Sequence, residues 1–342
     1  MKLAIATVGL AILLGCCGGG GDDGDDDDDD GGSSPDARSE SDSGSPGVDA
    51  ALDAGDPTVD AHMADWTAVN VDSGQLTQIW GVSANDIWIG GDFGEVHHWN
   101  GTSWSAFDAP GSITSGVWGS ASNDFWAVGS GLINHWNGTG WTTAATANNL
   151  DAIFGRSPSD VWAVGGFGGA GFIQHYNGSA WSPQASNTTA ILDDVWANGP
   201  NDAWAVGGND AGNGVVVHWN GSQWTASSSN SPVLKAVYGT SANDIWAVGQ
   251  LGTILHWNGS TWAPASPAPP APPGGNGLWR DVFAFAADDV WVCGDALTLY
   301  HWNGSDWTDE SAVGTAALTS IWGIAPDDLW VVRESIGAFH YH

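Results

Sequence analysis

The sequence predicts an all-β fold, a seven-bladed β-propeller with four antiparallel strands in each blade. Two observations predict it. First, Ile-Trp-Ala-Val-Gly followed about ten residues later by His-Trp-Asn-Gly recurs seven times, with small changes, between Ile79 and His342. Second, each repeat of about 40 residues contains four short apolar runs, which is typical of a propeller blade. Each repeat has one aromatic anchor in its first apolar run, and a glycine follows it in five of the seven repeats. The anchors are Trp80, Trp118, Phe154, Trp196, Tyr238, Phe283 and Trp322.

The strand positions follow from the composition of these runs. In the fifth repeat we expect strands at residues 234–238, 244–248 and 253–257, and a fourth from Thr261 onward. Aromatic and β-branched residues dominate the runs, as suits sheets that are packed on both faces. The third and fourth strands are joined by Asn-Gly, a strong hairpin signal because both residues tolerate positive φ. Six repeats carry that asparagine: Asn100, Asn137, Asn177, Asn220, Asn258 and Asn303.

The seventh repeat lacks a fourth strand, because the sequence ends at His342. Trp66 stands 14 residues before the anchor Trp80, and the fourth-strand tryptophan of the other repeats precedes the next anchor by 13 to 15 residues, apart from one interval of 21. We therefore predict that residues 65–71 form the missing strand and pair with the C-terminal blade. Such closure leaves no open sheet edge at the joint.

The N-terminal residues have a different character. Residues 1–16 contain Lys2, a short apolar run and then Leu13-Leu14-Gly15-Cys16, and the run is too short to span a bilayer. The quartet resembles the lipobox of bacterial lipoproteins, which implies that Cys16 becomes the lipid-modified N-terminus. An ordinary secretory signal is the alternative. Cys17 stands where an aspartate would favour inner-membrane retention in that family, so we expect an outer-membrane anchor.

Residues 17–63 are predicted to be a disordered acidic tether rich in Gly, Asp and Ser, because they cannot bury enough apolar surface to offset chain entropy. The aspartate run 25–30 lacks the glycine turn and distal glutamate of a calcium loop, so no metal is expected there. Residues 64–342 form the predicted propeller.

The propeller carries 24 acidic residues against four Lys and Arg, or about −20. Such a surface disfavours binding to nucleic acid and to anionic membranes. We therefore expect the chain to contact the membrane only through its lipid and to bind a protein or a glycan. We also expect it to be a monomer. Three cysteines are too few for a disulfide framework, and Cys293 is predicted to be buried and inert.

Every repeat carries a histidine at an equivalent position and an aspartate two residues before its second-strand tryptophan. Equivalent positions in a propeller are spread around its circumference, so the histidines cannot converge on one metal ion. We interpret them as buried hydrogen-bonded pairs that hold each sheet together, and we expect no metal or cofactor. The histidines are His98, His135, His175, His218, His256, His301 and His340, and the aspartates are Asp86, Asp124, Asp160, Asp202, Asp244, Asp289 and Asp328.

Most of the 24 tryptophans are expected in the core, because 23 of them fall on the repeat pattern and only Trp279 does not. Gly252-Thr253-Ile254, with a hairpin ending in Thr261-Trp262, resembles the Asp-box (BNR) repeat. That family includes sialidases and other glycosidases, but also non-enzymatic receptors and photosystem assembly factors. The Ser-x-Asp that names the box is absent here.

Sialidase-like enzymes use three arginines, and this resemblance would require them to converge. We place Arg156 in a loop between the first and second strands and Arg333 at the end of a second strand, which are opposite faces of a propeller. The sequence therefore predicts no catalytic residues. A glycan hydrolase or lyase is the enzyme alternative, with carboxylates drawn from Glu95, Glu334, Asp92, Asp210 and Asp295.

Function is expected where the symmetry of the repeats breaks. The loops from strand two to three and from strand four to one share one face, and residues 165–171, 207–214 and the Pro-rich insertion 263–277 mark it as variable. We predict that this variable-loop face binds the ligand.

The sharpest asymmetry lies three residues before each anchor, where the residues are Thr77, Ser115, Asp151, Asp193, Lys235, Arg280 and Thr319. We hypothesise that this ring surrounds the mouth of the central channel and binds a polar or zwitterionic group. Solvated surface ion pairs are the alternative. The candidate ligand-binding residues are Asp151, Asp193, Asp194, Lys235, Trp279, Arg280 and Asp281.

Together these observations predict a lipid-anchored envelope propeller, exported and attached to the outer membrane, that binds a protein or glycan without catalysis. A glycan-active enzyme and a structural envelope protein are the alternatives.

Overall fold

The computed structural model describes residues 66–71, 74–111, 114–146, 148–312, 314–334 and 337–342. The predicted signal segment 1–16 and tether 17–63 lie outside the described residues. Strands account for almost all of the regular structure described, and one short 3-10 turn spans Gln250–Gly252. No helix in these ranges is long and apolar enough to cross a bilayer.

The described chain forms seven four-stranded sheets, each antiparallel throughout, which confirms the predicted fold class. Strand β1 (Trp66–Val69) completes the last blade. Blade one contains β2 (Leu76–Ser83), β3 (Asp86–Gly91), β4 (Val96–Trp99) and β5 (Trp104–Ala106), and blade two contains β6 (Gly116–Ala121), β7 (Asp124–Gly129), β8 (Leu132–Trp136) and β9 (Trp141–Ala145). Blade three contains β10 (Leu150–Ser157), β11 (Asp160–Gly166), β12 (Gly171–Tyr176) and β13 (Trp181–Gln184).

Blades four to seven continue the pattern. Their strands are β14 (Ile191–Gly199), β15 (Asp202–Gly208), β16 (Asn213–Trp219) and β17 (Trp224–Pro232); β18 (Leu234–Ser241), β19 (Asp244–Gly249), β20 (Ile254–Trp257) and β21 (Trp262–Pro264); β22 (Trp279–Ala286), β23 (Asp289–Gly294), β24 (Leu299–Trp302) and β25 (Trp307–Asp309); and β26 (Leu318–Ala325), β27 (Asp328–Arg333) and β28 (Ala338–Tyr341).

The ring closes as the sequence predicted. β1 is the outer strand of the sheet that contains β26, β27 and β28, with Trp66 opposite Tyr341 in the ladder. The N-terminal strand therefore completes blade seven, and main-chain hydrogen bonds hold the two ends of the propeller together.

Aromatic rings pack each blade against the next. Trp246, on the second strand of blade five, stacks on His256 of its own sheet at a centroid distance of 4.2 Å. Its other neighbours are Trp302 and Trp307 of blade six, at 6.3 and 6.0 Å. The same stacking of tryptophan on histidine occurs in all seven blades. Because such pairs add to the energy of apolar burial, the repeated tryptophans stabilise the contacts between blades.

A steric constraint explains why glycine follows Trp-Ala-Val in the second strand. The first strand of most blades contains a β-bulge near its start, and the bulge pushes a carbonyl toward the second strand. A Cβ on Gly207 would lie 2.0 Å from the Ile191 oxygen, and one on Gly249 would lie 2.1 Å from the Val233 oxygen. In these two blades only glycine fits opposite the bulge, whereas blade seven has Arg333 at the equivalent position.

Candidate functional site

The two ends of the propeller differ in how much their loops vary. At one end, every turn from strand one to strand two has two residues, and each Asn-Gly turn from strand three to four has four. In blade five, Asn258 Oδ1 accepts hydrogen bonds from the Ser260 N–H, the Ser260 hydroxyl and the Thr261 N–H at 2.8–3.0 Å. Five other blades repeat this arrangement. We call this end the uniform face, and its regularity marks it as scaffold.

At the other end, the variable-loop face, the loops from strand four to strand one range from a single residue, Val233, to the 14 residues 265–278. The loops from strand two to strand three are less variable in length than the sequence suggested. In the predicted variable segments 165–171 and 207–214, only residues 167–170 and 209–212 are loop, because the flanking glycines belong to strands and face β-bulges. The long insertion folds back, since the Asn276 carbonyl accepts the Leu251 N–H at 2.7 Å.

The ring of residues three positions before the anchors coincides with the β-bulges. Thr77, Asp151, Asp193, Lys235, Arg280 and Thr319 are each the extra residue of a bulge in an inner strand, and Ser115 directly precedes β6. Five of the six bulge residues line one pocket of about 420 Å³, together with Glu334. We call this pocket the mouth. The structure therefore brings together the side chains that break the symmetry.

Both cations at the mouth are already paired. Lys235 Nζ lies 2.5 Å from Asp193 Oδ1, and Arg280 Nε lies 2.8 Å from Asp295 Oδ1. Burial raises the pKa of Asp193 despite the opposing charge of Lys235.

Asp151 adds a further carboxyl group next to the Lys235–Asp193 pair. Burial and then the charge of Asp193 raise the pKa of Asp151 to about 6, although Lys235 acts in the opposite direction. With Asp151, Asp295 and Glu334, the carboxylates outnumber the cations around the mouth, so a ligand carrying positive charge is favoured.

Two predicted ligand residues, Asp194 and Asp281, lie deeper in the channel. Both line a cavity of about 40 Å³. Asp194 accepts the backbone N–H of Val195 and that of Val237 in the next blade, each at 2.8 Å. Burial raises the pKa of Asp194 well above its usual range, and it raises that of Asp281 to about 6 against three hydrogen bonds. These carboxyl groups link neighbouring blades.

The anchors fill the channel beyond these carboxyl groups. Each anchor lies two residues, or about 7 Å along the strand, after the position that Asp194 and Asp281 occupy in their blades. Trp80 contacts Phe154 at a centroid distance of 5.8 Å, and Phe154 contacts Tyr238 at 6.3 Å, so rings from alternate blades meet. The mouth is consequently a blind pocket rather than a passage.

Trp279 does not belong to the mouth. Its side chain is fully buried and packs edge-on against Tyr300 at 6.0 Å. The interpretation of Trp279 as an exception to the repeat is wrong, because the position four residues before the anchor is a buried leucine in five other blades: Leu76, Leu150, Leu192, Leu234 and Leu318. Trp279 replaces that leucine in the core and cannot stack on a ligand.

The seven histidine and aspartate positions are hydrogen-bonded partners. In every blade His Nε2 lies 2.7–2.9 Å from Oδ1 of the aspartate at the start of the second strand. The histidine side chains are 16–36 % exposed, so the pairs are less buried than the sequence suggested. Within the described ranges, no three His, Cys, Asp or Glu residues are grouped to hold a metal ion. Cys293 is buried, and burial raises the pKa of its thiol.

Sequence reasoning missed a set of exposed apolar side chains. In the described part of the chain, Phe93, Phe167 and Leu251 are the most exposed large apolar residues, at 79, 72 and 67 %. Each lies in a loop from strand two to strand three, on the variable-loop face. Phe93 and Leu251 also adopt positive φ, 61° and 55°, which bulky residues rarely do. The two phenylalanines could have been noticed as aromatics outside the repeat.

Two of the five carboxylates considered for catalysis have other bonds. Glu95 Oε2 accepts the Gly74 N–H at 2.9 Å, and Asp295 pairs with Arg280. Arg156 lies in β10 itself, close to the turn in which the sequence placed it, and Arg333 ends β27. The two arginines thus lie toward opposite faces, as expected.

No protein-family model and no curated protein matches this sequence. Similar solved structures include YCF48 bound to D1 peptide, with 15 % identity, a TM-score of 0.65, and coverage of 81 % of this chain and 96 % of that one. YCF48 from Cyanidioschyzon merolae has 18 % identity, a TM-score of 0.64, and coverage of 82 and 99 %. The WD40 β-propeller domain of Doa1 has 11 % identity, a TM-score of 0.66, and coverage of 81 and 95 %. These likenesses support the propeller fold.

Proposed function

We propose that this chain is a non-catalytic, lipid-anchored propeller that binds a protein partner through its variable-loop face. One observation carries the proposal: the three most exposed large apolar side chains described, Phe93, Phe167 and Leu251, all lie on that face. Exposed apolar groups on one side of a soluble domain are typical of interaction surfaces. Positive φ at Phe93 and Leu251 adds support, since strained loop conformations are frequent at functional sites.

The charge of the same face indicates the kind of partner. Asp92 and Glu95 flank Phe93 in one loop, and with the neighbouring Asp151 and Asp295 the carboxylates around the mouth outnumber its two cations. This charge opposes insertion of the phenylalanines into an anionic membrane and favours a protein with basic residues beside an apolar patch.

The fold is compatible with a peptide or protein ligand. YCF48, which is similar in fold, has been solved bound to a D1 peptide. For this chain we infer a protein ligand from its own exposed side chains, with the mouth receiving a positively charged group. A glycan ligand and glycan hydrolysis remain the competing functions.

The anchor is part of the proposal. Cys16, in the lipobox-like Leu-Leu-Gly-Cys, would carry the lipid, and the acidic residues 17–63 would hold the propeller away from an outer membrane. Changing Cys16→Ala should release the chain from the membrane fraction and remove the lipid mass from the mature protein. An unchanged membrane fraction would contradict lipid attachment at this residue.

The binding face can be tested by cross-linking pull-down from cell-envelope extract. Phe93→Ala, Phe167→Ala and Leu251→Ala combined should lose the partner that the wild-type chain retains. A matched control is Val82→Ala with Ile324→Ala, because these exposed apolar residues precede the strand-one turns of the uniform face. Equal loss in both variants would argue against the assignment of the face.

Catalysis is tested separately. Turnover of polysaccharides by the wild-type chain would overturn the non-catalytic part of the proposal. Retention of a glycan in place of a protein on an array would overturn the class of ligand.

A further inference from the structure

The outer strand of blade four, β17, differs from the outer strands of the other blades. It has nine residues, whereas the other six have three to five, and its ladder with β16 is continuous from Trp224 to Ser228, after which residues 229–231 form a register shift with positive φ at Asn230. It is the last strand in its sheet, so its outer edge has no strand beside it in the described chain. A long exposed edge can pair with another polypeptide unless something prevents it.

The alternation of hydrogen-bonded and non-hydrogen-bonded residue pairs between β16 and β17 identifies the main-chain groups that face outward. The Asn220 N–H donates to the Gln223 carbonyl at the turn, so hydrogen-bonded and non-hydrogen-bonded pairs alternate from there. Trp224, Ala226 and Ser228 then direct their N–H and C=O groups away from β16. One observation supports this assignment: the outward Trp224 carbonyl accepts a bond from Asn187 Nδ2 at 2.8 Å.

Three other blades protect the equivalent position. Two residues after the fourth-strand tryptophan stand Pro183 in blade three, Pro264 in blade five and Asp309 in blade six. Proline removes the outward N–H, and a charge disfavours pairing at an edge. Blade four has Ala226 there, and its neighbours Thr225, Ser227 and Ser228 are small, uncharged and exposed.

A pocket continues this edge toward the variable-loop face. It has a volume of about 580 Å³, and its lining includes Asn213, Ser228, Asn230, Gln250 and the exposed Leu251. None of the residues lining it is charged, in a propeller of about −20. The edge and pocket together offer main-chain hydrogen bonds, side-chain amides and one apolar contact.

We propose that the β17 edge, centred on Ala226 and Ser228, binds an extended, uncharged segment of a partner protein as an added β-strand, with its end against Leu251. Main-chain pairing would supply the affinity, and the pocket would select the side chain beside Leu251. The occupant is a partner and not a second copy, because two propellers of the same large negative charge repel each other.

The experiment uses the full-length chain and a capped, fluorescent peptide of alternating threonine and valine, about eight residues long, with a leucine near one end. Wild type should bind the peptide. Ala226→Pro should weaken binding at least about tenfold, the loss expected when a main-chain hydrogen bond to the strand is removed. Since Pro183 and Pro264 occupy this register, the variant should fold; Ala226→Asp, which copies the residue type of Asp309, serves if it does not.

The matched control is Ala106→Pro in blade one, an alanine in the same register on a strand of three residues. It should bind the peptide as wild type does. A peptide N-methylated on alternate amides should not bind. Phe93→Ala with Phe167→Ala should bind the peptide normally, so the test is independent of the proposed function.

Four outcomes would overturn the proposal. They are the absence of peptide binding at millimolar concentration, equal binding by Ala226→Pro and wild type, equal binding of the N-methylated peptide, and displacement of the peptide by a neutral oligosaccharide or by dimerisation of the chain.

Discussion

Trp66 lies opposite Tyr341 in the ladder between the first and last strands of the propeller, and their rings are 5.3 Å apart. Trp66 also meets the edge of Trp291 at 6.3 Å, in the preceding blade. One side chain therefore joins the N-terminal strand both to the C-terminal strand and to blade six.

Replacing Trp66 should open the ring. Trp66→Ala is expected to lower the free energy of unfolding by about 3 kcal/mol, because large aromatic truncations in packed sites leave a cavity. Denaturant unfolding measures this loss. Thr67→Ala, on the exposed side of β1, is the control and should stay within about 0.5 kcal/mol of wild type. Equal stability of both variants would show that closure does not depend on this side chain.

Gly207→Ala should be strongly destabilising, because its Cβ would lie 2.0 Å from the Ile191 oxygen. We expect a loss of about 2–3 kcal/mol, the range typical of overpacking. Gly199→Ala is the matched control, since nothing lies within 4 Å of its Cβ. Melting temperatures of the two variants compare them directly, and a Gly207 variant as stable as the Gly199 variant would contradict the steric account of the repeated glycine.

The Asp244–His256 pair should make the free energy of unfolding depend on pH in the acidic range. Burial raises the pKa of Asp244, but hydrogen bonds from His256 and Thr240 and the charge of His256 outweigh it, and the pKa is lowered overall. A lowered pKa means that the carboxylate stabilises the fold above about pH 4, its unfolded value, and that this contribution is lost as the pH falls through the folded value.

Asp244→Asn should therefore cost about 1–3 kcal/mol at pH 7, and the difference from wild type should shrink below about pH 4. Urea unfolding at a series of pH values measures it. Asp306→Asn, at an exposed turn position, should show no such convergence. A cost for Asp244→Asn that stays constant down to pH 2 would contradict the role of the charge.

Asp151 should behave in the opposite way. Its pKa is raised to about 6, so the folded state holds the proton more tightly, and stability declines as the pH rises from about 4 to about 6. Asp151→Asn should remove this decline and stabilise the fold at pH 7.5 by about 1 kcal/mol, allowing for solvent screening.

The carboxyl carbon of Asp151 can be titrated by NMR. Its midpoint should fall in Asp193→Asn and rise in Lys235→Met, because these variants remove a like charge and an opposite charge. Asp210→Asn, in an exposed loop, is the control and should leave the midpoint unchanged. A midpoint near 4 in the wild-type chain would show that Asp151 is not coupled to the pair.

The repeat made much of the scaffold predictable. Blade number, strand order and the closure through Trp66 follow from spacing alone, because a strand position is set by local alternation and turn residues. Residues that broke the pattern could be placed only in part: Lys235 and Arg280 line the mouth, where the sequence put them, whereas Asp194 and Asp281 are buried links between blades.

What the sequence by itself determined is the unit and its seven-fold repetition, since each blade encodes its own strands and its Asn-Gly turn within about 40 residues. Only the tertiary structure decided which side chains face solvent at the ends of those strands. Trp279 is buried in a core cluster with Ala236 and Val248 of the neighbouring blade, and Leu251 is held outward because Asn276, in a later loop, bonds its main chain. Contacts between segments distant in sequence set these outcomes, and a local pattern carries no record of them.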